Sequence, residues 1–201
     1  MVAEMRVLRN PLRPLYHWTL RQAERPAAEY WLYFIAFIES IFFPIPPDLL
    51  LMPILLSRPA NWRRLAGLTT LFSLLGGLSG YLLAYFLFEA YGDAALAWLH
   101  AEAVFARFNS WYDAYGGLAV FAGGLSPIPY KVVALASGTF GMNLLLFLGI
   151  SLLARGARFF LVAAIFARYG APAKVWIERW FNPLSLIAIV LLALLIFLIA
   201  Q

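Results

Sequence analysis

Five charged residues lie inside long apolar stretches of the sequence, where charge is costly if those stretches enter a membrane. They are two acids and three bases: Glu39, Asp48, Lys131, Arg155 and Arg158. On insertion scales an Arg, Lys or Asp at the centre of a spanning helix costs roughly 2.5–3.5 kcal/mol, so such residues are rare and mark ion or substrate pathways. Arg155 and Arg158 are three positions apart, which places both on one face of a helix.

Two interpretations of these charges follow from their chemistry. The acids and bases could pair with one another and only hold the protein together. The surplus of positive charge instead favours an anion site, because arginine binds phosphate oxygens through two parallel hydrogen bonds and broken helices offer free amide groups at their N-terminal ends. In that interpretation Lys131, Arg155 and Arg158 bind the anion, whereas Glu39 and Asp48 carry protons or balance the charge of the empty site.

The composition requires a membrane environment. Of the 201 residues, 64% are hydrophobic and only 12% are charged, whereas a soluble domain carries about 25% charged residues. This excludes a cytosolic enzyme or a secreted module. Cysteine is absent and the two histidines, His17 and His100, are far apart, so we predict no metal centre and no cofactor. The net charge of +5 is assigned to anionic lipid and membrane orientation, not to nucleic acid.

Prolines break two of the apolar stretches, 30–57 and 116–141, so that neither can form one straight helix. They are Pro44, Pro46 and Pro47 in the first stretch and Pro127 and Pro129 in the second. Unpaired backbone at membrane depth must be covered by protein or water. We therefore predict two re-entrant helical hairpins, each followed by a transmembrane helix.

The other segments are assigned from hydropathy and helical periodicity, and the whole is an all-α integral membrane protein with one membrane domain over 30–200. The predicted elements are a basic, interfacial or disordered segment over 1–29, transmembrane helices over 65–88 and 142–167, an interfacial amphipathic helix over 94–115, and an additional C-terminal transmembrane helix over 183–200. At ~1.5 Å per residue, 65–88 covers roughly 36 Å, enough for a hydrocarbon core of ~30 Å.

The two broken stretches correspond at an offset of 83 residues, which aligns Pro44-Ile45-Pro46 with Pro127-Ile128-Pro129 and Asp48 with Lys131. Arginines and lysines concentrate in the loops before 65 and before 183, while acids dominate 89–115. The positive-inside rule then places the N-terminus in the cytoplasm and the C-terminus outside. The hairpins consequently enter from opposite sides, forming an inverted repeat of the kind found in secondary transporters.

Three segments together make a recognisable pattern: Glu39-Ser-Ile-Phe-Phe-Pro-Ile-Pro-Pro-Asp48, Gly123-Gly-Leu-Ser-Pro-Ile-Pro-Tyr-Lys131 with Gly138, and Arg155-Gly-Ala-Arg158. This pattern, over about 29–170, resembles the bacterial DedA family of the VTT-domain group (named for SNARE-associated Golgi proteins), and most closely its YqaA-like branch. The resemblance implies two facing hairpins and proton-coupled movement of undecaprenyl phosphate or another phospholipid between leaflets. Glu39 and Asp48 match the family's functional acids. The family's Arg-Phe-x-Pro opening is missing, since Leu125-Ser126-Pro127 carries no arginine.

The leading hypothesis is a lipid flippase or scramblase of the bacterial cytoplasmic (inner) membrane that binds an anionic headgroup. Its partners would be membrane lipids and protons, and whether it forms a homo-oligomer is left open. The alternative is a proton-coupled transporter of a small ion or solute that uses the same carboxylates. A membrane enzyme such as a lipid phosphatase is disfavoured, because its nucleophile usually needs a base and neither histidine lies near the charged residues. A scaffold without transport activity is the last hypothesis.

Overall fold

The computed structural model describes residues 25–125 and 129–170. In these ranges the chain forms six α helices and no strand. They are α1 (Pro26–Glu39), α2 (Asp48–Ser57), α3 (Trp62–Leu99), α4 (Glu102–Leu125), α5 (Tyr130–Thr139) and α6 (Leu144–Tyr169), with a 3-10 turn at Pro59–Asn61. Most of the predicted segment 1–29, the proline Pro127 and the predicted helix 183–200 lie outside the described residues. The all-helical prediction is confirmed for the part described.

The first broken stretch has the form that its prolines predict. α1 ends at Glu39, and α2 begins at Asp48, immediately after Pro47. The backbone amides of Phe42 and Phe43 both donate to the carbonyl of Ile38. These hydrogen bonds form a tight turn after α1, directly before residues 44–47, which we call the proline segment. We call α1, the proline segment and α2 the first hairpin.

The second broken stretch differs from the prediction in its first arm. α4 runs without interruption from Glu102 through Gly116 to Leu125, so most of the predicted interfacial helix and the first arm of the second hairpin are one helix. The glycines do not end α4 because α6 packs closely against it: a Cβ atom on Gly124 would lie 2.7 Å from the Cβ of Ala154. Packing of this kind outweighs the low helix propensity of glycine. The break before α5, at Pro129, is where it was predicted.

α3 is longer than predicted, since it continues beyond Phe88 to Leu99. Its 38 residues extend about 57 Å at 1.5 Å per residue. Glu89 and Asp93, which the hydropathy pattern placed in a loop, are exposed residues of this helix. The helix ends at Leu99, and the next residue, His100, has a left-handed φ of 50°. The predicted bounds of 65–88 and of the interfacial helix over 94–115 are therefore wrong.

Within residues 25–125 and 129–170, two helical stretches are long and apolar enough to cross a membrane, Pro59–Leu99 and Leu144–Tyr169. The second agrees with the predicted helix 142–167 to within two residues at each end. It begins there because Asn143 caps it: the Asn143 side chain accepts a hydrogen bond of 3.1 Å from the backbone amide of Leu146, a typical N-cap contact.

Close backbone contacts place α3 at the centre of the packing. A Cβ atom on Gly76 would lie 2.0 Å from the carbonyl oxygen of Phe37 in α1, and one on Gly138 in α5 would lie 2.1 Å from that of Tyr81. Real side chains do not fit at these distances, so only glycine allows α1 and α5 to approach α3 in this way. α3 also packs against α6, and the hairpin arms are thereby fixed against the two long helices. The inverted repeat and the membrane entry of the hairpins stay predictions.

Candidate anion and proton site

Arg155 of α6 connects three helices through hydrogen bonds. Its Nη2 donates to Oε2 of Glu39, the last residue of α1, at 3.2 Å. Its Nε donates to Oγ of Ser73 in α3 at 2.7 Å, and the Ser73 and Ser40 hydroxyls lie 2.9 Å apart. Both serines are fully buried, and Arg155 is only 3% exposed. A guanidinium at this depth is stable only with such partners.

Two aromatic rings add to the surroundings of Arg155. Its Cζ lies 4.9 Å from the ring centroid of Tyr130, the first residue of α5, and 4.7 Å from that of Phe159 in α6. Both aromatic residues are buried. A cation over an aromatic face is attracted to the negative face of the ring, so α5 also stabilises this charge through Tyr130.

Arg158, three residues further along α6, pairs with the other predicted acid. Its Nη2 donates to Oδ2 of Asp48 at 2.5 Å, and the two side chains are 13% and 11% exposed. Asp48 is the first residue of α2, where the helix dipole favours a carboxylate. The other oxygen, Oδ1, is buried and accepts no hydrogen bond from the described residues.

Lys131 at the start of α5 reaches the proline segment of the first hairpin. Its Nζ donates to the carbonyl oxygen of Phe43 at 2.6 Å. A carbonyl in a break between helices lacks the partner that a helix would provide, and a buried one requires another donor. Lys131 therefore satisfies the broken backbone of one hairpin from the other.

The five residues that were predicted to form a site are thus brought together around the proline segment of the first hairpin. We call Glu39, Asp48, Ser73, Arg155 and Arg158 the inner cluster. Each of the two arginines of α6 is bound to a carboxylate. This geometry agrees with the interpretation in which the charges pair. The anion-binding and proton-carrying roles of these residues stay predictions. Pro44, Pro46 and Pro47 form the break beside the cluster, and Pro129 precedes α5.

Ser73 is part of the cluster although no sequence signal marks it. Hydroxyl residues in apolar helices commonly bond to their own backbone, as Thr69 does with the carbonyl of Leu65 and Thr70 with that of Ala66. Ser73 differs only because Arg155 and Ser40 happen to face it. Tyr130 and Phe159 were also not predicted as partners, since aromatic residues are common throughout this chain.

A second ion cluster lies at the open end of the first hairpin, and we call it the end cluster. Glu29 in the first turn of α1 is 6% exposed and accepts hydrogen bonds of 3.0 Å each from Arg58 and Arg64. The hydroxyl of Tyr33 donates to the same carboxylate at 3.3 Å. These contacts join the start of α1 to the end of α2 and the start of α3.

Comparison with known proteins places the chain in a family. The model of the VTT domain matches residues 65–168, just over half of the chain. The chain belongs to the VTT-domain family, which includes DedA. The resemblance inferred from the motifs is therefore confirmed, and this VTT-domain protein, with its long apolar helices, is a membrane protein.

Two relatives of this VTT-domain protein cover most of its length. An uncharacterized protein of Haemophilus influenzae is 38% identical over 153 residues, which make up 76% of this chain and 79% of that protein. An uncharacterized protein of Histophilus somni is 34% identical over 159 residues, or 78% and 81% of the two chains. No solved structure matches. The VTT match contains Ser73, Arg155 and Arg158, and the acids of the inner cluster precede it.

Proposed function

We propose that this VTT-domain protein is a multi-pass transporter of the bacterial cytoplasmic membrane that moves an anionic lipid headgroup between leaflets, coupled to protons. One observation carries the proposal: two arginines on one face of an apolar, membrane-length helix are each paired with a carboxylate at the break of a hairpin. A phosphate group, as in undecaprenyl phosphate or a phospholipid, is the anion whose oxygens suit these guanidinium groups.

The coupling to protons follows from the cost of buried charge. In the empty site each carboxylate neutralises an arginine, and removing that partner alone would leave an uncompensated charge in a region of low dielectric. A phosphate can take the place of a carboxylate only when the carboxylate has been neutralised, and a proton does this. Arg155, Arg158 and Lys131 supply the positive charge of the site, and Glu39 and Asp48 supply the proton-accepting groups.

The proposed orientation has the open end of the first hairpin in the cytoplasm. Arginines concentrate at this end, in and after the turn between α2 and α3, while the far end of α3 and the start of α4 carry acids. The residues concerned are Arg58, Arg63 and Arg64 on one side and Glu89, Asp93 and Glu102 on the other. This distribution supports a cytoplasmic N-terminus by the positive-inside rule.

Reconstitution into proteoliposomes tests the proposal. Fluorescent phosphatidylglycerol in the inner leaflet should become accessible to a quencher outside the vesicles. This movement should be faster when the vesicle interior is more acidic than the medium. Arg155→Ala should abolish this movement. Arg63→Ala is the matched control, because Arg63 is exposed, stacks on Trp62 at 5.1 Å and lies outside the inner cluster. Absence of lipid movement by the wild-type protein, or equal movement by Arg155→Ala, contradicts the proposal.

The second candidate is proton-coupled transport of a small anion by the same ion pairs, since inorganic phosphate would meet the same guanidinium groups. Uptake of labelled phosphate without movement of labelled lipid would favour it. We propose neither candidate as an enzyme: His100 follows α3, some 27 residues beyond Ser73 along the helix and therefore about 40 Å away, too far to act as a base in the inner cluster.

A further inference from the structure

We infer that an apolar groove between α3 and α5, remote from the inner cluster, binds one hydrocarbon chain of a membrane lipid. The groove lies between the stretch 83–95 of α3 and the last turn of α5, and we call it the chain groove. Its volume is about 380 Å³, within the range of small-molecule sites in proteins. The site is independent of the proposed transport, because a protein that moves no lipid can still hold a chain there.

The lining of the chain groove suits hydrocarbon and no polar group. Leu83, Leu87 and Tyr91 line it from α3 at intervals of four residues, and each is at least half exposed. From α5 it is lined by Leu135 and Thr139, and the Thr139 hydroxyl already donates to the Leu135 carbonyl at 3.0 Å. No charged residue of the described chain lines the groove. A polar ligand would lose its hydration there without gaining partners.

The chain groove is open because α3 continues beyond α5. A Cβ atom on Gly138 would lie 2.1 Å from the carbonyl oxygen of Tyr81, which fixes where the two helices cross. α5 ends one residue later, at Thr139, whereas α3 extends about 27 Å beyond Tyr81. The ring of Phe88, which lines the groove, stacks on Phe105 of α4 at 4.8 Å. α4 therefore supports one wall of the groove.

The charges of α3 place the chain groove at the edge of the hydrocarbon layer. The stretch 65–88 carries no charge, and the acids Glu89 and Asp93 follow it on the exposed surface. The groove begins at Leu83, about 9 Å before Glu89, and extends to Ala95, about 9 Å after it. Its first half is continuous with the apolar surface that this membrane protein presents to lipid, so a chain can enter from the bilayer.

The acids of this part of α3 lie away from the chain groove. Glu89 and Asp93 are each two positions from Tyr91, which at about 100° per residue is some 200° around the helix. Trp98, seven positions after Tyr91, returns to the groove face and is strongly exposed. An apolar face with aromatic residues and an opposite acidic face is the pattern of a helix that contacts the membrane surface. The partner that fits this face is therefore lipid.

The C-terminal part of this chain is the competing occupant. α6 runs antiparallel to α3, since its Phe147 ring stacks on Tyr81 and its Phe160 ring contacts the first residue of α3. The described chain thus ends at the opposite end of α3 from the groove. A helix over 183–200 that started level with the first residue of α3 would extend about 27 Å, whereas the groove begins about 31 Å along α3. Lipid reaches the groove directly.

Photolabelling of the full-length protein in detergent tests the site. The probe is phosphatidylglycerol with a diazirine in the middle of one acyl chain, added at increasing concentration. We expect saturable labelling, with adducts located by mass spectrometry on Leu83, Leu87 or Leu135, and an excess of unlabelled phosphatidylglycerol should abolish it. Exposed leucines outside the groove, such as Leu145 and Leu153 of α6, should be labelled without saturation. Labelling that saturates at no residue overturns the inference.

Two exposed alanines of α3 give matched variants. Ala95 lines the chain groove, and Ala90 lies outside it. Ala95→Trp should fill the groove and remove the saturable labelling, whereas Ala90→Trp should retain it. Thermal unfolding verifies that both variants fold, and the adduct map of the wild type decides the question if Ala95→Trp does not. Saturable labelling of a folded Ala95→Trp variant at the wild-type level overturns the inference.

A photoreactive side chain identifies the occupant in a bilayer. In vesicles of phosphatidylethanolamine and phosphatidylglycerol, Leu87→p-benzoylphenylalanine should crosslink to lipid. A crosslink to residues 171–201 or to a second copy of the chain in place of lipid overturns the inference. None of these measurements requires transport. A protein that moves no lipid contradicts the proposed function and leaves the chain groove standing, while an unlabelled groove in an active protein does the reverse.

Discussion

The first hairpin carries carboxylate–arginine contacts at both of its ends. The two sets differ in burial and in how far apart the paired residues are in the sequence. In the inner cluster, acids at the break pair with arginines 116 and 110 residues away in the sequence. In the end cluster, Glu29 pairs with arginines only 29 and 35 residues away. Arg64 is 62% exposed, whereas Arg155 is 3% exposed.

The comparison shows that the contribution of a carboxylate–arginine pair to stability depends on how exposed its arginine is to solvent. An exposed arginine is solvated whether or not it is paired, so its ion pair contributes little. A buried arginine has no such alternative, and breaking its pair requires another charge to replace the lost one. The proposed exchange of a proton and an anion is therefore assigned to the inner cluster, while the end cluster joins the two arms of the first hairpin.

The largest effect is expected for Arg155→Ala. This change leaves Glu39 buried without its arginine, and breaking a buried ion pair costs about 3–5 kcal/mol. Thermal and denaturant unfolding in detergent should show this loss. Arg63→Ala is the control and should stay within about 0.5 kcal/mol of the wild type. Equal stability of the two variants would mean that the inner cluster does not hold α6 in place.

Ser73→Ala should have the next largest effect. It removes the hydrogen bond from Arg155, for which about 1.5–3 kcal/mol is expected, and the contact with the Ser40 hydroxyl. The Glu39 pair stays intact. The free energy of unfolding, compared with that of Ser79→Ala, measures it. A double-mutant cycle with Arg155→Ala should give a clear coupling energy, and strict additivity would argue against the Nε contact.

Glu29→Gln tests the end cluster at its most buried residue. It removes the charge that attracts Arg58 and Arg64 but keeps an acceptor oxygen, so we expect a loss of about 1–2 kcal/mol. Because the end cluster lies apart from the site, the rate of lipid movement per folded molecule should not change. A loss of transport larger than the loss of folded protein would contradict the separation of the two clusters.

Arg64→Ala should have the smallest effect. Exposed ion pairs contribute about 0–1 kcal/mol and are screened by salt. Unfolding measured at low and high ionic strength should show a small difference that salt removes. If Arg64→Ala destabilised the protein as strongly as Ser73→Ala, exposure would not be what distinguishes the two clusters.

The elements could be predicted where a local rule decides them. The prolines of the first hairpin end α1 and delay α2 because they remove backbone donors, and the apolar stretch 142–167 agrees with α6 to within two residues at each end. The predicted bounds were wrong for α3, which continues beyond residue 88, and for α4, which joins the predicted segments 94–115 and 116–141. Glu89 and Asp93 are tolerated because they lie on an exposed part of α3, and Gly124 because α6 packs closely against α4 there.

The sequence by itself determined that this protein lives in a membrane and that its few intramembrane charges are the residues to examine, because charge is costly in hydrocarbon wherever it lies along the chain. Only the tertiary structure decided which charge meets which. Asp48 pairs with Arg158 and Glu39 with Arg155 because helix packing sets their distances, and the role of Ser73 depends on which side chains from α1 and α6 reach it. Partners more than a hundred residues apart leave no local pattern, so their pairing is a property of the fold.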